Sequence, residues 1–299
     1  MLHLRVNARK WGVMKTRTTP IFCAILSVGF ILIGGGENLK AQVESATMPA
    51  SGDASLDSRL VNPEMIKVEE GGLPKSSYVS NKSVRSFEIG KHEVTWGEWQ
   101  KVRDWAVTKG YDLQNVGKGL SENHPVTDVK WYDAVKWCNA KSQMERLEAV
   151  YQVKGQLYKT GVPSENGSDV VKRKSAGNGY RLPSEAEWEW AARGGKKSKG
   201  YKYAGSNDLS AVGWFKDNAG GETHEVGKKL SNELGIYDMS GNVGEWCEDV
   251  VDTSARRSRS GSFCDDAVYA SFAYRVDGGD APDDWHHVLG FRLARSSGN

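Results

Sequence analysis

From Gly261 to Asn299 the chain uses no Lys, no Glu, no Gln and no Met. Between Gln42 and Ser260, Lys and Glu make up 40 of 219 residues, so about seven would be expected in the last 39 by composition alone. Cysteine is scarce as well: there are four, none in a CxxC spacing, which leaves a zinc cluster without support. The six histidines are scattered except for the adjacent His286 and His287. Adjacent residues point apart on a strand, so this pair reads as exposed loop histidines rather than metal ligands. A strong charge of one sign is also missing. The formal +2 comes from the first 41 residues, which hold six Lys/Arg against one Glu; the remainder is net acidic by about three charges, which gives no footing for nucleic acid.

What is present begins with a targeting pattern. Met14 is followed by "KTRTT", an apolar run from Ile21 to Ile33 and a polar stretch ending "NLKAQ". This is the three-part layout of a secretory signal. We expect a signal peptide over 1–41, with the true start at Met14 and cleavage after Ala41. At 13 residues the run is short for a membrane span, which leaves an uncleaved anchor as the lesser alternative. Cys23 lies inside the run rather than after it, which argues against a lipid-modified cysteine. The expectation is an exported protein, in the periplasm, on the surface or secreted, with no membrane span after cleavage. Residues 42–60 are small and polar and read as a linker. A domain over 61–299 follows, with enough apolar content (38%) and enough Trp and Tyr (11 each) to bury a substantial core. Removal of the signal leaves Cys138, Cys247 and Cys264, an odd number, so at least one is unpaired or joined to another chain.

Within the domain, "VRSFEIGKHEVT" alternates as a strand does, and Thr95 with Glu98 forms a capping box opening "WGEWQKVRDWAV". A second helix, "VKWYDAVKWCNAKSQME", places Trp131, Ala134, Val135 and Cys138 on one face, which makes Cys138 a core residue. Residues 150–179, rich in Gly, Ser, Asn and Lys, read as a surface excursion. In "YRLPSEAEWEWAARGG", Ser184 and Glu187 form a second capping box and Gly194 ends the helix. The remainder is short segments punctuated by Gly and Asn. The class is α+β, with short helices, antiparallel strands and much irregular loop.

Five segments, "KHEVTWGEWQKV", "HPVTDVKWYDAVKWCNAKS", "GYRLPSEAEWEWAARGG", "NELGIYDMSGNVGEWCED" and "GFRLAR", occur in the order found in the formylglycine-generating enzyme, or sulfatase-modifying factor, family. The resemblance spans about residues 61 to 295 and implies a variant of the C-type lectin-like fold. The family's enzymes oxidise a substrate cysteine to formylglycine with copper held by two cysteines. Soft Cu(I) calls for such thiolates. Against the family pattern those two positions fall on Asp265 and Ala270, Cys264 is one residue out of place, and Gly244 stands where the family usually has Trp. Copper and a catalytic residue are therefore not expected. The family's calcium loop maps onto Asp238, Gly241, Val243 and Glu245, carboxylates and main-chain oxygens that suit a hard cation. The alternative for this stretch is an ordinary Gly/Asn turn with solvated acids.

The residue types at irregular positions of 261–288 are those reachable from an Asn codon by changing its two leading adenines, and Trp285 is reachable from an Arg codon by one such change. This resembles the variable proteins of diversity-generating retroelements, many of which have C-type lectin-like domains and end in a constant tail. Irregular loops on a rigid scaffold tolerate replacement, and Tyr, Trp, Phe, Asp and His give contacts of varied polarity at modest entropic cost. The candidate ligand-binding residues are Cys264, Asp265, Asp266, Val268, Tyr269, Ser271, Phe272, Tyr274, Val276, Asp277, Asp283, Asp284, Trp285, His286, His287 and Val288, expected on one exposed face. Ser262, Arg275, Pro282, Gly290, Phe291 and Arg292 are expected to be fixed scaffold. The partner would be a protein or surface ligand, and the acidic bias of the segment favours a basic one. A compositional accident in an undiversified interaction module and a metal-dependent oxidase of the same family stay open.

Overall fold

The computed structural model describes residues 63–80, 82–163, 170–252, 255–275, 279–283 and 286–297. The expected signal, the linker and the domain start at Val61 lie outside the described residues, as do Val276, Asp277, Asp284 and Trp285. In chain order the elements are β1 (Met65–Val68), β2 (Gly71–Gly72), β3 (Ser83–Val84), β4 (Phe87–Gly90), α1 (Trp96–Thr108), α2 (Trp131–Met144), β5 (Tyr151–Val153), β6 (Gln156–Leu157), β7 (Lys172–Arg173), α3 (Glu185–Ala192), α4 (Leu209–Val212), β8 (Gly244–Asp252), β9 (Ala255–Arg259), β10 (Leu289–Gly290) and β11 (Ala294–Ser296). The strands form four small sheets, ordered β1-β4-β11, β10-β8-β9, β2-β3 and β6-β5-β7. The last strand, β11, thus pairs with β4 near the start of the described domain, Ala294 opposite Ile89. Among the described residues no helix is long and apolar enough to cross a membrane.

Local chemistry sets the helix starts. The Thr95 hydroxyl accepts from the Glu98 amide at 3.2 Å while the Glu98 carboxylate accepts from the Thr95 amide at 2.9 Å, so two otherwise orphaned donors are satisfied reciprocally. Ser184 and Glu187 repeat this at α3, and Gly194 follows the helix with φ of 88°. The second helix differs from the one-faced expectation, because every residue from Trp131 to Ser142 is buried. It can be enclosed all round because its cations are paired: Lys136 reaches Asp112 at 2.7 Å and Lys141 reaches Glu145 at 2.6 Å. Cys138 is fully buried, as expected, and burial pushes its thiol well up.

Residues 150–179 are not wholly a surface excursion. Tyr151 and Tyr158 are buried, and Asn139 of α2 donates to both of their carbonyls. The strands β5 to β7 are two or three residues long, too short to show a period in sequence.

One core cluster gathers around Trp99, Trp137 and Phe291. The two indoles stack at 5.8 Å and Phe291 meets each edge-on. Such aromatic pairs add about 0.5–1.5 kcal/mol each beyond their area. A second cluster lies between α3 and the β1-β4-β11 sheet, around Phe87, Ile89 and Trp188. The closing "GFRLAR" is therefore structural: Phe291 enters the first cluster, Ala294 the second, and Arg292 is fully buried.

Candidate functional site

The strands β8 and β9 pair antiparallel, and β10 pairs β8 in parallel with Leu289 opposite Gly244. The segment 261–288 therefore leaves one flank of β8 and returns on the other, and among its described residues it forms no helix or strand. Its departure needs a glycine. Gly261 has φ of 68°, and a Cβ there would lie 2.7 Å from the Tyr269 carbonyl oxygen.

The scaffold beneath the segment is saturated with charge pairs. Arg259, fully buried, donates to Glu185 at 2.9 Å, to Glu189 at 3.0 Å and to the Phe272 carbonyl. Arg275 lies 5.0 Å over the Tyr78 ring and 3.8 Å from Glu185. On this base sits a cavity of about 270 Å³. Its floor comes from Ser258, Arg259 and Ser260 at the end of β9, and one side from Gly244 and Leu289. Gly244 lets β10 pack closely there, because a Cβ would fall 2.7 Å from the Leu289 side chain. Its remaining wall includes Asp265, Tyr269, Tyr274, His286 and Val288, all expected ligand-binding residues.

The segment is held at several points. The Ser262 hydroxyl donates to Asp265 at 2.6 Å, Lys216 reaches Asp266 at 3.0 Å, and the Ser271 hydroxyl donates to the Lys202 carbonyl at 3.3 Å. Tyr269 and Tyr274 meet edge-to-face at 4.8 Å, and His287 lies 6.0 Å from Phe263. Cys264, Asp266, Val268, Tyr269, Asp283, His286 and His287 are exposed, while Asp265, Ser271, Tyr274 and Val288 are half-buried. Phe272 is a correction. It is 5% exposed, belongs to the second core cluster and lies under the Arg193 guanidinium at 4.6 Å, so it is an anchor rather than a contact residue. The floor residues Ser258, Arg259 and Ser260 were not expected at the site, and only the run "RRSRSGS" before the segment hinted at them.

Thiol chemistry finds no pair here. All three described cysteines are free; Cys138 and Cys247 are buried, and only Cys264 is exposed. The Cys264 sulfur lies 3.4 Å from the Ser262 hydroxyl, outside the cavity lining. Ala270, at the second family cysteine position, is fully buried. The residues present do not fit a two-sulfur copper site.

The four residues expected for calcium sit in a buried charge cluster. Glu245 and Arg292 form a two-point pair with both contacts at 2.6 Å, and the Trp188 indole N–H donates to the same carboxylate at 2.7 Å. Both Glu245 oxygens thus accept hydrogen bonds. Asp238 accepts from the Gly227 amide at 2.7 Å while its other oxygen is buried without a hydrogen-bond partner, and the Gly241 carbonyl accepts from the Ser260 hydroxyl. The unpartnered Asp238 oxygen is where a cation would find a free carboxylate donor in this set, while it would meet Glu245 already held by Arg292. The alternative of solvated acids fails, because Asp238 and Glu245 are buried. Sequence reading had missed Glu93, a third enclosed acid, which accepts from Asn242 at 3.0 Å. Burial and the neighbouring Asp238 and Glu245 charges push its carboxyl well above the usual range.

With this geometry in place, known proteins supply the lineage. A model of the sulfatase-modifying factor enzyme 1-like domain matches residues 50–297. The chain belongs to the sulfatase-modifying factor family. Chaperone protein LppX of Paenibacillus barcinonensis is 36% identical over 269 residues, which cover 79% of this chain and 90% of that protein. The crystal structure of CarF superposes with a TM-score of 0.68 at 31% identity, covering 79% of this chain and 99% of the other. Treponema denticola variable protein 1 follows with 0.63 at 30%, covering 78% and 95%. The fold is the α+β, C-type lectin-like fold of the formylglycine-generating type. Family membership brings the scaffold, while what the site does rests on its own residues.

Proposed function

We propose that this chain is an exported ligand-binding protein whose ligand sits on the surface around the cavity above β9, and that retroelement mutagenesis diversifies that surface. One observation carries the reading. Five of the segment's expected contact residues, Asp265, Tyr269, Tyr274, His286 and Val288, converge on one cavity whose floor is a buried, ion-paired framework. A rigid base with replaceable irregular loops is the arrangement in which sequence can change without loss of fold. The likeness to the Treponema denticola variable protein supports the same reading. A copper oxidase is disfavoured because, among the described residues, the exposed thiol of Cys264 has no second sulfur beside it.

The test is to sequence the gene's 3′ end and several kilobases on either side in a set of related isolates. The expected result is change gathered at Cys264, Asp266, Val268, Tyr269, Tyr274 and His286, with Arg259, Ser262 and Phe272 constant. A near-copy of the 3′ end differing at adenines should lie beside a reverse transcriptase gene. Identical terminal sequences in every isolate and no such copy would overturn diversification and leave a constitutive interaction module. That second reading draws support from the relative called chaperone protein LppX. Stoichiometric copper binding, lost on Cys264→Ser, would revive the oxidase.

A further inference from the structure

Away from the cavity above β9 lies a second, polar cleft of about 890 Å³, between the β1-β4-β11 sheet and the turn after β7. Its volume is within the range of about 300–1,000 Å³ usual for small-molecule sites. Its lining contains four cations, Lys67, Arg85, Arg173 and Arg181, against two acids, Glu70 and Glu187. The rest is serine, glycine and alanine, with no aromatic ring on which a nucleobase could stack.

The cations divide into two sorts. Arg181 is held by Glu187 through two contacts at 2.7 Å, and Arg173 by Glu248 at 2.7 Å, so these are fixed in place. Lys67 and Arg85 are exposed, and among the described residues neither has a carboxylate within ion-pair distance. Lys67 faces Glu88 across β1 and β4, but Glu88 is taken from the other side by Arg295 of β11. Two further polar atoms wait for a partner. Arg181 is 4% exposed and its Nε is buried without an acceptor, and the Ser297 hydroxyl is buried without any hydrogen bond. A buried donor left unmade is costly; both atoms are closed off from solvent, and a ligand oxygen admitted by a small shift of the cleft wall would relieve them.

We infer that this cleft is a second binding site, for a saccharide bearing sulfate or phosphate esters. The guanidinium and ammonium groups would take the ester oxygens by charge-assisted hydrogen bonds, and the serine hydroxyls would take the sugar hydroxyls. The site is separate from the changeable segment, so it would stay constant while the other surface varies.

The experiment is titration calorimetry of the full chain at low ionic strength. The probes are a sulfated disaccharide, its phosphorylated counterpart and the unsubstituted disaccharide. One of the two anionic probes should bind saturably at one per chain, and the tighter of them identifies the ester; the neutral sugar should give no heat. In the double variant Lys67→Gln, Arg85→Gln, whose substitutions are on the surface, Kd should rise at least about tenfold at unchanged Tm. Ser297→Ala should weaken the same probe severalfold, while Tyr269→Ala should leave it alone. Equal binding of the neutral sugar, no saturable binding at millimolar probe, or an unchanged Kd in the double variant each overturns the inference. So does loss on Tyr269→Ala, which would move the probe to the other cavity. None of these results bears on diversification, which is read from gene sequence.

Discussion

On β8 and β9, Glu245 and Arg259 are fully enclosed, and each meets its charge partner through short, direct contacts. A few residues on, Val268 is 57% exposed and Tyr269 and Tyr274 meet edge-to-face at a cavity wall. The two regions are contiguous in sequence yet answer to different physics. In the strands, removing one side chain strands a buried charge. In the loop, removing one side chain trades contact with protein for contact with water. This is how one chain can combine an unchanging base with a surface free to change.

The sharpest way to break that comparison is Glu245→Ala. It leaves Arg292 buried on the Gly90 and Tyr237 carbonyls without its direct carboxylate partner, and should cost about 3–5 kcal/mol in urea unfolding. A loss below about 1 kcal/mol would mean that the strand region is as tolerant as the loop. Next in size is Phe272→Ala, a change inside the segment that should behave like a framework change, at about 3 kcal/mol. If it is neutral, the anchor is not an anchor.

The pH dependence sharpens the framework side. Burial alone would raise the Glu187 carboxyl, but the Arg181 guanidinium and the Ser184 amide and hydroxyl overcome this and hold it below its ordinary 4.5. That stabilisation is present above 4.5 and is lost as pH falls through the depressed value, so Glu187→Gln should flatten the acid limb of the stability curve. Glu93 runs the other way. Its raised carboxyl favours the protonated folded state, so stability is lost as pH rises from 4.5 toward the folded value. Relative to the unaltered chain, Glu93→Gln should therefore gain stability as pH rises through that interval. Chemical denaturation over a pH series reads both, and parallel curves for chain and variants would refute them. The smallest effects belong to the loop: Tyr269→Ala and His287→Ala should each stay within about 0.5 kcal/mol of the unaltered chain.

What sequence made legible was what is local. Thr95 with Glu98 and Ser184 with Glu187 announce helix starts because both members of each box lie within four residues. The family motifs carried the topology, which no period in the chain would have given. Phe272 escaped because a segment without helix or strand has no repeat to separate inward from outward side chains. The fate of Glu245 was hidden for another reason: its partner Arg292 lies 47 residues away, and only the folded chain shows which cation reaches that carboxylate. The floor of the cavity was missed because Arg259 looks like any surface arginine until Glu185 and Glu189 close on it.

The Phe272 carbonyl, gripped by Arg259 while its ring is under Arg193, has a consequence for how the segment can evolve. It clips a long excursion near mid-span and divides it into two shorter arcs, each closed on the framework at both ends. The closure entropy of a loop grows only slowly with length, so either arc could gain or lose a residue at small cost. The clip would keep the other arc in its place. The two halves of the surface are thus tethered separately and meet at the Tyr269–Tyr274 contact, so lineages of this protein could lengthen one side of the cavity mouth at little cost to the other.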